Sequence, residues 1–300
     1  MAFPNVVLLG VGKAGTTSIY YYAAQHPQVG VSKIREPKFL LYAGHLQNPI
    51  RHAVPHFRIR TVGEYEALYA DCKDRRARLD ISPTYLMFPD QTIHGIRRYV
   101  PEAKLVAIFR QPADRGYSNY VMHVRMGDEH LLNFADALQA EKDGLRREGG
   151  NVRSYFNRGF YYARTKRFLD EFPRERFLFL LYDDLVGDPQ GFFGRLFGFM
   201  DVDPGFSPDR SRRHNPGAWP RRIAWHHLVT SMNPLKRKLA QLVPASVRMP
   251  LRQALRKGNL TAAPTLDPEL RRRLTREYRD DILRLQDLIG RDLSAWTSCL

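Results

Sequence analysis

Lys13 stands inside LLGVGKAGTTS, Leu8 to Ser18, with glycines at 10, 12 and 15 around it and Thr16, Thr17 and Ser18 directly after. Glycine lets a backbone approach an anion closely. The free amides and dipole of a helix start make that place a phosphate site. The order differs from the nucleoside triphosphatase loop GxxxxGK[ST], whose lysine follows the last glycine; here Lys13 precedes Gly15. A second cation, Arg110, ends the apolar run KLVAIF, Lys104 to Phe109. Triphosphatases of that type place an aspartate for Mg²⁺ on a later strand. Phosphate chemistry in this chain would therefore rest on Lys13 and Arg110 as the groups that stabilise charge. Ser118 follows Arg110 by eight residues, about two helical turns on, where its hydroxyl could meet the same anion.

These residues need a scaffold of alternating strands and helices. Asn5–Val11 reads as a short buried strand, and Thr16–Gln25 as a helix that stops before His26-Pro27, because the residue before proline avoids the α region. Strands are expected at Val29–Ser32, Arg78–Ile81, Lys104–Phe109 and Phe177–Tyr182. Helices are expected at Val62–Tyr69, Asp90–Tyr99, Pro112–Met126, Phe134–Glu148, Tyr161–Glu171, from Pro189, and at Pro268–Leu288. KLVAIF is apolar on both faces, as parallel strands covered by helices are. The alternation predicts an α/β fold: a P-loop-like parallel sheet with helices on both faces. A basic helical lid or appendage is added to it. We divide one domain into a core over 1–207, a basic lid or acceptor-side segment over 208–264, and a C-terminal helix packing back over 265–300.

The net charge is +16, and Pro208 to Leu260 holds twelve Lys/Arg against Asp209 alone. Such a segment attracts nucleotide phosphates, an acidic or sulfated acceptor, or a membrane surface; a plain solvated face is the alternative. Cys72 and Cys299 show no ligand spacing, and the histidines form no metal-binding array, so a metal site is not expected. MAFPNVVLLGVG lacks a basic leader and runs straight into the glycine loop, and no apolar stretch nears the roughly 20 residues of a membrane span. A cytoplasmic protein is expected.

Taken together, the motifs resemble the sulfotransferase superfamily that uses 3′-phosphoadenosine 5′-phosphosulfate (PAPS), in particular bacterial members related to the heparan-sulfate branch. GKAGTTS resembles the 5′-phosphosulfate loop. This implies that Lys13 holds the bridging oxygen and sulfuryl group, while Ala14, Gly15, Thr16, Thr17 and Ser18 line the 5′-phosphate. FRQPADRGYSNY, Phe109 to Tyr120, resembles the 3′-phosphate motif and implies that role for Arg110 and Ser118. The segment from Arg158 to Pro189 is similar to the adenosine-side element, which points to Tyr161, otherwise an ordinary helix aromatic. Arg212, Arg213 and Asn215 fall where the family has a basic loop over the nucleotide.

IREPKFLL, Ile34 to Leu41, is similar to the family's KEPxFF element, with Arg35 in place of lysine. Its glutamate implies Glu36 as general base, although Glu36 could also pair with Arg35 or Lys38 in a surface turn. DISPTYL, Asp80 to Leu86, resembles the acceptor-side E-x-[ST]-P-x-Y motif; Ile81 replaces the heparan branch's lysine, which speaks against a polysaccharide acceptor. The resemblance implies in-line sulfuryl transfer to a hydroxyl of a small molecule, glycan or lipid, with 3′-phosphoadenosine 5′-phosphate (PAP) leaving. His123 is the second candidate base. No nucleic acid partner is expected, and peripheral membrane association stays open. Two alternatives remain: an ATP-dependent small-molecule kinase, against which the position of Lys13 argues, and a non-catalytic anion- or membrane-binding protein, which leaves both phosphate motifs unexplained.

Overall fold

A computed structural model describes residues 2–42, 59–145, 154–211, 217–222, 225–226, 258–298 and 300. Every residue of strand β1, Val6–Gly10, is buried, and so are the last five of β4, Lys104–Phe109. Successive strand residues point to opposite faces, so both faces of these strands are covered. With β2 (Val29–Val31), β3 (Ala77–Ile81) and β5 (Phe177–Leu181) they form a sheet of order β2-β3-β1-β4-β5. All its pairings are parallel.

β1 lies at the centre, and its chain leaves through helix α1, Thr16–Ala23, toward β2. β4 sits on the other side of β1 and leaves toward β5. The exits of β1 and β4 therefore diverge, and in open α/β sheets such a switch point opens a crevice at the strands' carboxyl ends. Lys13 and Arg110 follow those two ends.

Further helices surround the sheet: α2 (Phe39–Tyr42), α3 (Val62–Ala67), α4 (Pro89–Tyr99), α5 (Pro112–Met126), α6 (Phe134–Lys142), α7 (Tyr162–Leu169), α8 (Tyr182–Gly187), α9 (Pro189–Phe199), α10 (Pro268–Ile289) and α11 (Ser294–Thr297). α5 begins with Pro112 behind Gln111, whose side chain accepts from the Asp114 amide, and ends at Gly127 in the left-handed region. α10 uses the same devices, Asp267 and Pro268 at its start and Gly290 after its end. Proline costs no hydrogen bond in a first turn, and glycine adopts the left-handed cap freely.

The long elements lie where the sequence puts them, and the ends differ by a few residues. α2, α8 and α11 are too short to show a period. The segment 208–264 holds a feature other than the expected helices: strand β6, Ala218–Pro220, pairs antiparallel with β7, Leu260–Ala262. Three-residue strands leave too little alternation to read. Trp219 of β6 packs against Tyr120 of α5, ring centroids 5.9 Å apart. At the segment's start Asp209 exchanges two hydrogen bonds with Gln25, beyond the carboxyl end of α1. Arg212, Arg213 and Asn215 lie outside the described residues, as does most of the basic lid or acceptor-side segment. No helix among the described residues is long and apolar enough to cross a membrane.

Candidate active site

The pairing of β1 with β4 shifts register between Leu8 and Gly10, and the Val11 amide donates to the Ile108 carbonyl at 2.6 Å. The chain then turns through Lys13 at φ 75° and Gly15 at φ 84°. A Cβ on Gly15 would stand 2.6 Å from Leu185 Cδ2 and 3.3 Å from Tyr182 Cδ2, so conformation and space both require glycine. Gly15 precedes α1, whose first turn carries no carboxylate. Thr16, Thr17 and Ser18 thus sit on the turn whose amides lack helical partners. Thr16 is buried, while Thr17 and Ser18 are half-buried.

Arg110 meets this loop from the tip of β4. Its Nη1 donates to the Lys13 carbonyl at 3.0 Å, and its guanidinium lies 4.5 Å from the centre of the Tyr182 ring. Tyr161 holds it from behind: the phenol donates to the Arg110 carbonyl at 3.0 Å, and the ring is fully buried beside Phe109. Asp281 of α10 in turn accepts from the Tyr161 amide at 2.7 Å. Ser118 is half-buried on α5. The structure therefore brings the Lys13 loop and Arg110 into direct contact, with Tyr161 buried beneath them.

The crevice is strongly cationic. The Lys13 amine is pushed down to about 8 by burial first, then by the charges of Arg125, Arg110 and Arg115, with Glu36 alone pulling the other way. Arg158 is likewise pushed down to about 10, chiefly by burial and then by Arg115 and Arg164. Burial and like charges disfavour the charged form, and an anion with several negative charges would reverse both effects. Three of these cations, Arg115, Arg125 and Arg164, were not singled out from the sequence. Arg115 lies within the Phe109–Tyr120 motif but on the buried stripe of α5, where it donates to the Tyr155 carbonyl. An arginine at a position where the helical period demands a core residue is the signal that could have found it.

Glu36 lies between β2 and α2. It and Lys38 both have positive φ, 58° and 55°, and Lys38 Nζ is 3.6 Å from Glu36 Oε2. The ion pair considered from sequence is present, yet both side chains keep about a third of their surface exposed, so Glu36 stays accessible. His123 is 3% exposed, its Nδ1 lies 3.7 Å from Asp128 Oδ2, and its ring neighbours Tyr155. Asp80, the first residue of the acceptor-side motif, is fully buried and pushed up to about 6 by that burial.

Comparison with known proteins places this arrangement. A model of the sulfotransferase family matches residues 4–208. The chain is similar to heparan sulfate glucosamine 3-O-sulfotransferase 6 of Mus musculus, 26% identical over 206 residues that cover 67% of this chain and 53% of that one. It is also similar to carbohydrate sulfotransferase 15 of Mus musculus, 21% identical over 247 residues that cover 67% and 44%. The chain thus spans about half the length of the curated relatives it matches. The crystal structure of a sulfotransferase from Alicyclobacillus acidocaldarius aligns at TM-score 0.73 and 27% identity, with 99% of each chain covered. The matched span is more than half the chain and contains the Lys13 loop, Glu36, Arg110 and Ser118, so this protein belongs to the sulfotransferase family.

Proposed function

We propose that this protein transfers the sulfuryl group of PAPS to an acceptor hydroxyl and releases PAP. The observation that carries the reading is the Arg110–Lys13 contact, which joins two phosphate-type motifs into one cationic crevice at the sheet's carboxyl edge. The residues present suit a nucleotide with several negative charges: a loop with free amides, Lys13 pushed down by burial and then by three arginines, and Arg110 fixed by Tyr161 and Tyr182. In this reading Ser118 joins Arg110 at the 3′-phosphate, and Gly15 to Ser18 take the 5′-phosphate.

The acceptor oxygen forms its bond to sulfur as the bond from sulfur to the phosphate oxygen breaks. Negative charge grows on that departing oxygen, and the Lys13 ammonium stabilises it. The acceptor's proton goes to the accessible Glu36 carboxylate, so the oxygen becomes more nucleophilic as it attacks. The burial of His123 favours Glu36 in this role. The acceptor is a hydroxyl of a small molecule, glycan or lipid.

Thermal stabilisation measured with PAP in EDTA, and with ATP and Mg²⁺, tests the donor assignment. A clear upward shift with PAP alone supports it. A shift only with ATP and Mg²⁺ would replace it with a kinase, and no shift with either would leave a non-catalytic anion-binding protein. Labelled PAPS incubated with a metabolite extract, read by mass spectrometry, then identifies the acceptor.

A further inference from the structure

The Asp80 carboxylate is fully buried, and its hydrogen-bond partners are three hydroxyls. Tyr65 donates to Oδ2 at 2.7 Å, Ser82 to Oδ1 at 2.9 Å and Tyr85 to Oδ2 at 2.9 Å. Among the described residues no lysine or arginine pairs with it; the Tyr69 phenol is the remaining titratable neighbour. A buried carboxylate without a cation is costly and persists only when fully hydrogen-bonded.

Each of the three hydroxyl-bearing side chains reaches one of three consecutive residues just after Glu36. Ser82 Oγ accepts from the Lys38 amide at 3.1 Å. The Tyr65 ring stacks on Phe39, centroids 4.3 Å apart at 19°. The Tyr85 hydroxyl accepts from the Leu40 amide at 3.3 Å. Glu36 and Lys38 both hold left-handed backbone, which costs a non-glycine residue energy unless its surroundings fix it. The far side of this segment is fixed too, because a Cβ on Gly95 of α4 would overlap the Leu40 carbonyl.

We propose that Asp80 is the positioning residue for Glu36: by anchoring the hydroxyls of Ser82, Tyr65 and Tyr85 it holds these side chains against residues 38 to 40 and sets the strained turn that aims Glu36 at the crevice. The same stretch touches the donor side, since Pro83 packs so tightly on Gly10 that a Cβ there would lie 2.5 Å from the Pro83 carbonyl oxygen. One carboxylate therefore ties the proton acceptor to the strand that bears the Lys13 loop. The proposal rests on the reading of Glu36 as the base.

Hydrogen exchange at single amides separates the two ideas, with PAPS hydrolysis (water as acceptor) as the turnover measurement. Ser82→Ala should speed exchange at Lys38 by roughly tenfold and Tyr85→Phe at Leu40 by a similar factor, the equivalent of one net hydrogen bond. Asp80→Asn should speed both, lower kcat by roughly tenfold or more, and leave the KM for PAPS and the affinity for PAP within about threefold. Unchanged exchange at Lys38 and Leu40 in all three variants would overturn the positioning role. So would faster exchange with unchanged kcat in a protein that Glu36→Gln inactivates. If Asp80→Asn does not fold, the two milder variants carry the same test. Faster exchange combined with full turnover by Glu36→Gln would instead overturn Glu36 as base and leave the hydroxyl scaffold standing.

Discussion

Arg110 donates from Nη1 to the carbonyl oxygen of Lys13 at 3.0 Å, across 97 residues of sequence. The residue read as the 3′-phosphate cation thus also shapes the loop read as the sulfuryl-binding element. Loss of the Arg110 side chain should therefore be felt at both ends of the nucleotide.

Arg110→Ala should weaken PAP by roughly 1.5–3 kcal/mol, the worth of a hydrogen bond to a charged group, or about 10- to 150-fold. Adenosine 5′-phosphosulfate, which has no 3′-phosphate, should lose less but still lose affinity, because the Lys13 contact goes as well. Calorimetry with both ligands checks this. Equal losses would take Arg110 out of the 3′-phosphate role.

Lys13 should take up a proton when PAP binds. Its amine in the free protein is pushed down to about 8, and a bound phosphate moves it back up. Calorimetry at pH 8 in buffers of different ionisation enthalpy should show net proton uptake, absent in Lys13→Met, and PAP affinity should fall as pH rises past 8. Without ligand the sign on stability is opposite. The folded value lies below the unfolded 10.5, so the unfolded chain binds more protons between about 8 and 10.5. The charged amine thus costs stability below pH 8, and that cost is relieved as pH rises through this window.

Glu36→Gln should leave PAP affinity within about twofold and cut kcat by two or more orders of magnitude, the usual span of a general base. The fold should persist, since the Lys38 pair is about a third exposed and worth little. Near-normal turnover in this variant would pass the base role to another group, with His123→Gln the next test.

Gly15→Ala should lower the melting temperature and PAP affinity together. The new methyl meets Leu185 at 2.6 Å and the backbone must stay at φ 84°, which costs a non-glycine residue roughly 1–2 kcal/mol before any clash. Adding Leu185→Ala should restore part of the stability by removing the steric share. If the double variant melts no higher than Gly15→Ala, the cost lies in the backbone alone.

The sheet was legible because its strands are buried on both faces: KLVAIF has no other reading, and Pro112 and Gly127 mark α5 at both ends. The donor side was legible for a similar reason, since glycines, a cation and hydroxyls in a fixed order advertise an anion site. What stayed hidden depends on contacts between distant segments. Nothing in DISPTYL says that its aspartate gathers hydroxyls from Tyr65, Ser82 and Tyr85. Nothing in FRQPADRGYSNY says that Arg115 turns inward while Arg110 turns to the loop. The ribbon of Ala218–Pro220 and Leu260–Ala262 was hidden because three-residue strands carry no readable period.

That ribbon has a topological consequence. Asn259 closes it, its carbonyl accepting from the Arg221 amide, its Oδ1 from the Arg222 amide, and its Nδ2 donating to the Arg222 carbonyl. The chain therefore departs at Arg222 and returns at Asn259 through one clasp. Closing such an excursion costs an entropy that grows only slowly with its length. The length of chain between Arg222 and Asn259 can therefore change at little entropic cost while the clasp itself holds.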